Sequence, residues 1–141
     1  MNKGKSSVTL RGVNTEFLKL HTAESCFTPA ISMSEYQRLA MRTCSIPYNE
    51  KKEMLRHAVF GLASEAGEVA GILQKEYQGH AVDLVHMRKE LGDCLWMIAE
   101  ACTAIGTDMS TIAQMNIDKL RARFPDGFCA EKSLNRAEGD I

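Results

Sequence analysis

The chain has 141 residues, 45% of them hydrophobic and 25% charged, with a formal net charge of -1. That length suits one domain with a real core, and mixed charge offers no basic surface field for nucleic acid. No apolar run of about 18 residues offers a membrane span, and no signal-peptide core stands at the N-terminus. Residues 1–31 are rich in Ser, Thr, Asn and Gly, with Val13, Phe17, Leu18 and Leu20 as the apolar anchors. They read as an N-terminal arm, either mobile or docked on a neighbouring subunit.

Ser34 is the expected N-cap of a first helix that runs through Glu35, Tyr36, Leu39 and Ala40 to about Thr43. Ile46-Pro47 breaks it, because the residue before proline avoids the helical region. Asn49 is the expected cap of a second helix from about Glu50 to Tyr77, and Gln78-Gly79-His80 makes a short turn. The third helix spans about Val82 to Ile105 and stops at Gly106, a C′ glycine. Asp108 or Ser110 caps the fourth, which ends before Pro125-Asp126-Gly127. Short connections set the second and third helices side by side and antiparallel. With no period-two alternation, the chain reads as all-α: a four-helix bundle-type domain over 32–128, then a polar tail at 129–141.

Four carboxylates organise the long helices. Glu65-Ala-Gly-Glu68 and Glu90-Leu-Gly-Asp93 each hold two acids three residues apart, about 60° from one another on a helix. Ala58, Leu62, Val69 and Ile72 share the side of Glu65. Met87, Cys94, Met97, Ala101 and Ile105 share that of Glu90. The acids thus fall in stripes that normally face a core. Two like charges about 4 Å apart repel by about 4 kcal/mol at an effective dielectric of 20. A hard divalent cation answers that repulsion, and oxygen-only ligands suit Mg²⁺. The plainer reading is a pair of solvated acidic helix edges.

Ala63, Gly67 and Gly71 recur at four-residue intervals, and Gly92 lies inside the second acidic pair. Helical glycine costs about 1 kcal/mol relative to alanine, so close approach by another helix or a ligand is expected there. Between Cys94 and Ile105 the third helix is apolar nearly all round, Glu100 being the one charge, which calls for a second copy of the chain as cover. Asn116, Lys119 and Arg123 share one stripe of the fourth helix with Ile112. One amide and two cations suit a phosphate chain; by themselves they also make an ordinary solvated face. Five cysteines (Cys26, Cys44, Cys94, Cys102, Cys129), odd in number and without C-x-x-C spacing, read as small reduced residues of a cytoplasmic protein.

The runs Gly61-Leu62-Ala63-Ser64-Glu65-Ala66-Gly67-Glu68-Val69-Ala70 and Lys89-Glu90-Leu91-Gly92-Asp93-Cys94-Leu95-Trp96 resemble the MazG-like all-α nucleoside triphosphate pyrophosphohydrolases. The family pattern is E-x-x-E, a spacer, then E-x-x-D; here the spacer runs from Val69 to Lys89. Asn116, Lys119-Leu120 and Arg123-Phe124-Pro125-Asp126-Gly127-Phe128 are similar to the end of small single-domain members, so the likeness covers about 34–128.

The resemblance implies cleavage of a nucleoside triphosphate, ribo or deoxy, between the α and β phosphates, giving the monophosphate and pyrophosphate. It implies Mg²⁺, with Mn²⁺ able to substitute, on Glu65, Glu68, Glu90 and Asp93. Glu65 and Glu68 are the candidates to orient or deprotonate the attacking water. Lys119 and Arg123 would meet the leaving pyrophosphate, and Asn116 phosphate, sugar or base. The expected partners are the nucleotide and further copies of the chain, as homodimer or homotetramer, with neither nucleic acid nor membrane. No P-loop is present. Trp96 either stacks on a base or packs in the core. A ferritin-like di-iron site would need E-x-x-H pairs, and His86 precedes Glu90 by the wrong offset. A catalytically silent metal-binding or interaction module is the remaining alternative.

Overall fold

A computed structural model describes residues 30–135. Residues 1–29 of the expected arm at 1–31 and the end of the tail at 136–141 lie outside the described residues, as does Cys26. Among those described there is no strand. The helices are α1 (Met33–Ala40), followed by a 3₁₀ turn at Met41–Thr43, then α2 (Lys51–Tyr77), α3 (Leu84–Ala104), α4 (Met109–Arg123) and α5 (Ala130–Leu134). The four expected helices are all present, and the short α5 falls in what reads as polar tail.

The helix ends explain the turns and correct two caps and one helix start. Ser32, not Ser34, caps α1: its hydroxyl accepts from the Glu35 N–H at 3.2 Å. Ser32-Met33-Ser34-Glu35 has the capping-box spacing, which places the cap two residues earlier. Ser34 instead lies 2.7 Å, hydroxyl to hydroxyl, from Ser110 of α4. Asn49 does not cap α2 either, because the first helical carbonyl, which accepts from Met54, belongs to Glu50. Asp83 starts α3, accepting from the N–H groups of Val85 and His86, so the helix begins after the expected Val82. Of the two candidates for α4, Asp108 is the cap, accepting from Thr111 at 2.9 Å.

Gly79 and Gly106 end α2 and α3 with positive φ, 97° and 76°. Each closes a Schellman pair: His80 to Lys75 with Gly79 to Glu76, and Thr107 to Cys102 with Gly106 to Thr103. Gly67, Gly71 and Gly92 behave otherwise. A Cβ built on any of them meets nothing within 4 Å, so the close helix approach expected there is not made among the described residues.

The chain divides into two compact units, described separately; among the described residues one holds 61–94 and the other 31–60 with 95–135. The first is the hairpin of the α2 C-terminal part and the α3 N-terminal part, turned at Gly79. In the second, Ala99, Cys102 and Met109 form a buried cluster under Tyr36, Ala40, Met41 and Ile98. α1 therefore covers part of the α3 segment for which a second copy was expected as cover. Leu95 and Ile105 stay 40% and 58% exposed.

Buried Gln37 ties this unit together. Its amide donates to the Thr103 hydroxyl and the Thr107 carbonyl, and its oxygen accepts from the Met109 N–H at 2.8 Å. One side chain thus serves the end of α3 and an otherwise unpartnered N–H at the start of α4.

Candidate metal centre

The hairpin of 61–94 brings the four acids together. Glu65 and Glu68 stand one turn apart on α2; across the Gly79 turn, antiparallel α3 presents Asp93, Glu90 and His86. One ligand atom each from Glu65, Glu90 and Asp93 lies within 4.8 Å of the other two. Glu68, His86 and Glu90 form a second such trio. Glu90 belongs to both and is 8% exposed, whereas Glu65 is half-buried and Glu68 and Asp93 are open to solvent.

Electrostatics run against ionisation of Glu65. Burial raises the pKa of Glu65 above the ordinary carboxylate value, and the charges of Glu68, Asp93 and Glu90 raise it further. A hydrogen bond between Glu65 and Glu90 acts in the same direction. Two carboxyls can share a hydrogen bond only if one keeps a proton. Carboxylate oxygens from two helices at this spacing fit a hard divalent cation, which would replace the shared proton as the counter-charge.

His86 is the member that sequence reasoning missed. Its Nε2 lies 2.7 Å from Glu90 Oε1, one helical turn away. The available signal was the i,i+4 spacing to Glu90, which failed only as a test for a di-iron motif.

Asn116, Lys119 and Arg123 stand on α4, in the second unit, with the three-and-four spacing that makes one stripe. Asn116 and Lys119 are exposed; Arg123 is half-buried, its guanidinium carbon 5.9 Å from the Phe124 ring centre. Trp96 is a brace: its ring N–H donates to the Ala40 carbonyl at 3.1 Å and the Thr43 hydroxyl at 2.9 Å. That favours packing over base stacking.

Glu100, the one charge in the apolar segment of α3, is fully buried. His57 Nδ1 lies 2.7 Å from one of its oxygens, and the Cys44 thiol donates to the other at 3.3 Å. Burial holds the Cys44 and Cys102 thiols above their ordinary pKa. Neither is poised as a nucleophile, in keeping with small packing residues.

Comparison with known proteins addresses the same segment. The family described as the MazG nucleotide pyrophosphohydrolase domain matches residues 54–128, which include the four acids, His86 and the α4 stripe. The Gene 37 protein of Mycobacterium phage L5 is 29% identical over 89 residues, covering 60% of this chain and 78% of that protein. No solved structure gives a significant match. With the family spanning more than half of the chain, and its paired acids meeting on one all-α hairpin, this chain belongs to the MazG nucleotide pyrophosphohydrolase domain family.

Proposed function

We propose that this chain hydrolyses nucleoside triphosphates, ribo or deoxy, to the monophosphate and pyrophosphate with Mg²⁺ as cofactor, Mn²⁺ substituting, as a house-cleaning activity on the nucleotide pool. The observation that carries the reading is the convergence of Glu65, Glu90 and Asp93, with the pKa of Glu65 raised by burial and by its neighbours. Such an arrangement is unfavourable without a cation, which supports a binding site over a packing device.

Glu65, Glu68, Glu90 and Asp93 hold the ion. A divalent cation at such a site neutralises phosphate charge and lowers the pKa of a bound water. Glu65 or Glu68 accepts the proton of the attacking water. Burial and the charges of its neighbours raise the proton affinity of Glu65, which suits it to that role. The fourth-helix stripe serves the nucleotide: Lys119 and Arg123 bind phosphate oxygens as charged donors, and Asn116 contacts phosphate, sugar or base. The 32–128 segment is the catalytic domain, and it works in the cytoplasm as a homodimer or homotetramer without nucleic acid. Among the described residues, no helix is long and apolar enough to cross a membrane.

Pyrophosphate release from a panel of nucleotides, measured with Mg²⁺ and then with EDTA, tests the proposal. Release that requires the metal supports it. No turnover on any nucleotide favours the silent metal-binding module.

A further inference from the structure

We propose that His86 is a nitrogen ligand of the divalent-cation centre and biases it toward Mn²⁺ over Mg²⁺. The inference rests on the reading of Glu65, Glu68, Glu90 and Asp93 as that centre, and adds to it a donor of another chemical kind.

The geometry is already close to that of a chelate. His86 and Glu90 lie one turn apart on α3, with Nε2 and Oε1 2.7 Å from each other. Two neighbouring donors bound about 2.1 Å from one ion stand roughly 3 Å apart, and two opposite donors roughly 4.2 Å. The His86–Glu90 distance therefore matches adjacent ligands. Glu68 on α2 brings a third atom within 4.8 Å of both. Because Glu90 also belongs to the all-oxygen trio, the nitrogen donor joins the same centre and is not a distant second site.

The chemistry follows from donor type. Mg²⁺ takes oxygen ligands and gives up its waters reluctantly, so an imidazole adds little to its binding. First-row transition ions accept imidazole readily, and Mn²⁺ among them also suits carboxylates. A helix that holds His and Glu at i,i+4 presents both without further ordering cost, as helical metal-binding motifs do. The competing role for His86 is an outer hydrogen-bond partner that only orients Glu90.

The test uses the full chain with one equivalent of Mn²⁺ and pulsed electron paramagnetic resonance, which reads hyperfine coupling to a directly bound nitrogen. Wild-type protein should show that coupling, and His86→Gln and His86→Ala should each lose it. Both variants should bind Mn²⁺ about tenfold more weakly by calorimetry, with Mg²⁺ affinity held within about twofold. Circular dichroism establishes that each variant is folded, and either suffices if the other is not. Wild-type Mn²⁺ without nitrogen coupling, or coupling that survives both substitutions, overturns the role of His86. Glu65→Gln keeps the two ideas apart. If it weakens both ions while no nitrogen signal is seen, only the His86 inference fails; if it leaves both affinities unchanged, the cation-centre reading fails with it.

Discussion

Glu65 shows how one residue links stability to chemistry. Its native pKa is raised by burial and then by Glu68, Asp93 and Glu90, while in the unfolded chain it titrates near the ordinary glutamate value of about 4.3. Below that value the group is protonated in both states and its contribution to stability is fully present. As pH rises through the raised native value, the folded protein must release a proton into a field of negative charge, and the contribution is lost. The metal-free melting temperature should therefore fall more over this window in wild type than in Glu65→Gln, and Mg²⁺ should offset the fall at its upper end. Scanning calorimetry across pH, with and without Mg²⁺, measures this. Parallel wild-type and Glu65→Gln profiles would contradict it. Glu100 makes the opposite case, a fully buried carboxylate made tolerable by His57 and Cys44. His57→Ala should destabilise the protein by about 1–3 kcal/mol in urea unfolding, since it strands a buried acceptor beside a partly open gap. Adding Glu100→Gln should recover part of that loss. A cost for His57→Ala below about 0.5 kcal/mol, typical of an unremarkable surface site, would show the pair to be incidental.

At the scale of elements, the α4 stripe gives the sharper prediction. Phosphate contacts carry no base information, so Lys119→Ala should slow every nucleotide by a similar factor and leave Mg²⁺ affinity unchanged. Asn116→Ala should instead reorder the nucleotides if its amide reaches sugar or base. Kinetics on a nucleotide panel with Mg²⁺ calorimetry separates the two; rates within twofold for Lys119→Ala would return the stripe to a solvated basic face. Elements are also where sequence reading worked best. The long helices α2 and α3, their Gly79 and Gly106 ends and the paired acids all follow from local periodicity and turn chemistry. Caps slipped by one or two residues because several polar residues stand near each start, and only the hydrogen bond selects among them. The helical glycines suggest a close helix or ligand, and no helix among the described residues approaches them. The partners of Glu100 were illegible for another reason, since His57 and Cys44 lie far from it in sequence and no local period links them.

At the scale of the molecule, the buried apolar set among the described residues is modest: Met54, Ala58, Ile72, Ala99, Cys102, Ala104 and Met109. Meanwhile Val59, Phe60, Leu91 and Leu95 remain between 40% and 73% exposed. Large apolar side chains on the long helices favour self-association as their cover. Phe60, at 73%, is the most open of these four, so Phe60→Glu should leave the helices intact and shift the protein toward monomer in light scattering. Leu95→Glu should yield monomer or insoluble protein. A wild-type protein that is a stable monomer at micromolar concentration would refute the assembly.

The central claim is that the acids of the 61–94 hairpin form a working pyrophosphohydrolase centre, and one measurement addresses it directly. Pyrophosphate release at saturating nucleotide and Mg²⁺ should be followed for wild type and for Glu68→Gln, which keeps side-chain volume and removes one negative ligand. Wild type should release pyrophosphate and stop with EDTA. Glu68→Gln should be folded and slower by at least about a hundredfold, the scale of losing a catalytic group. Wild-type turnover in Glu68→Gln at saturating Mg²⁺ would remove Glu68 from the centre and contradict the account.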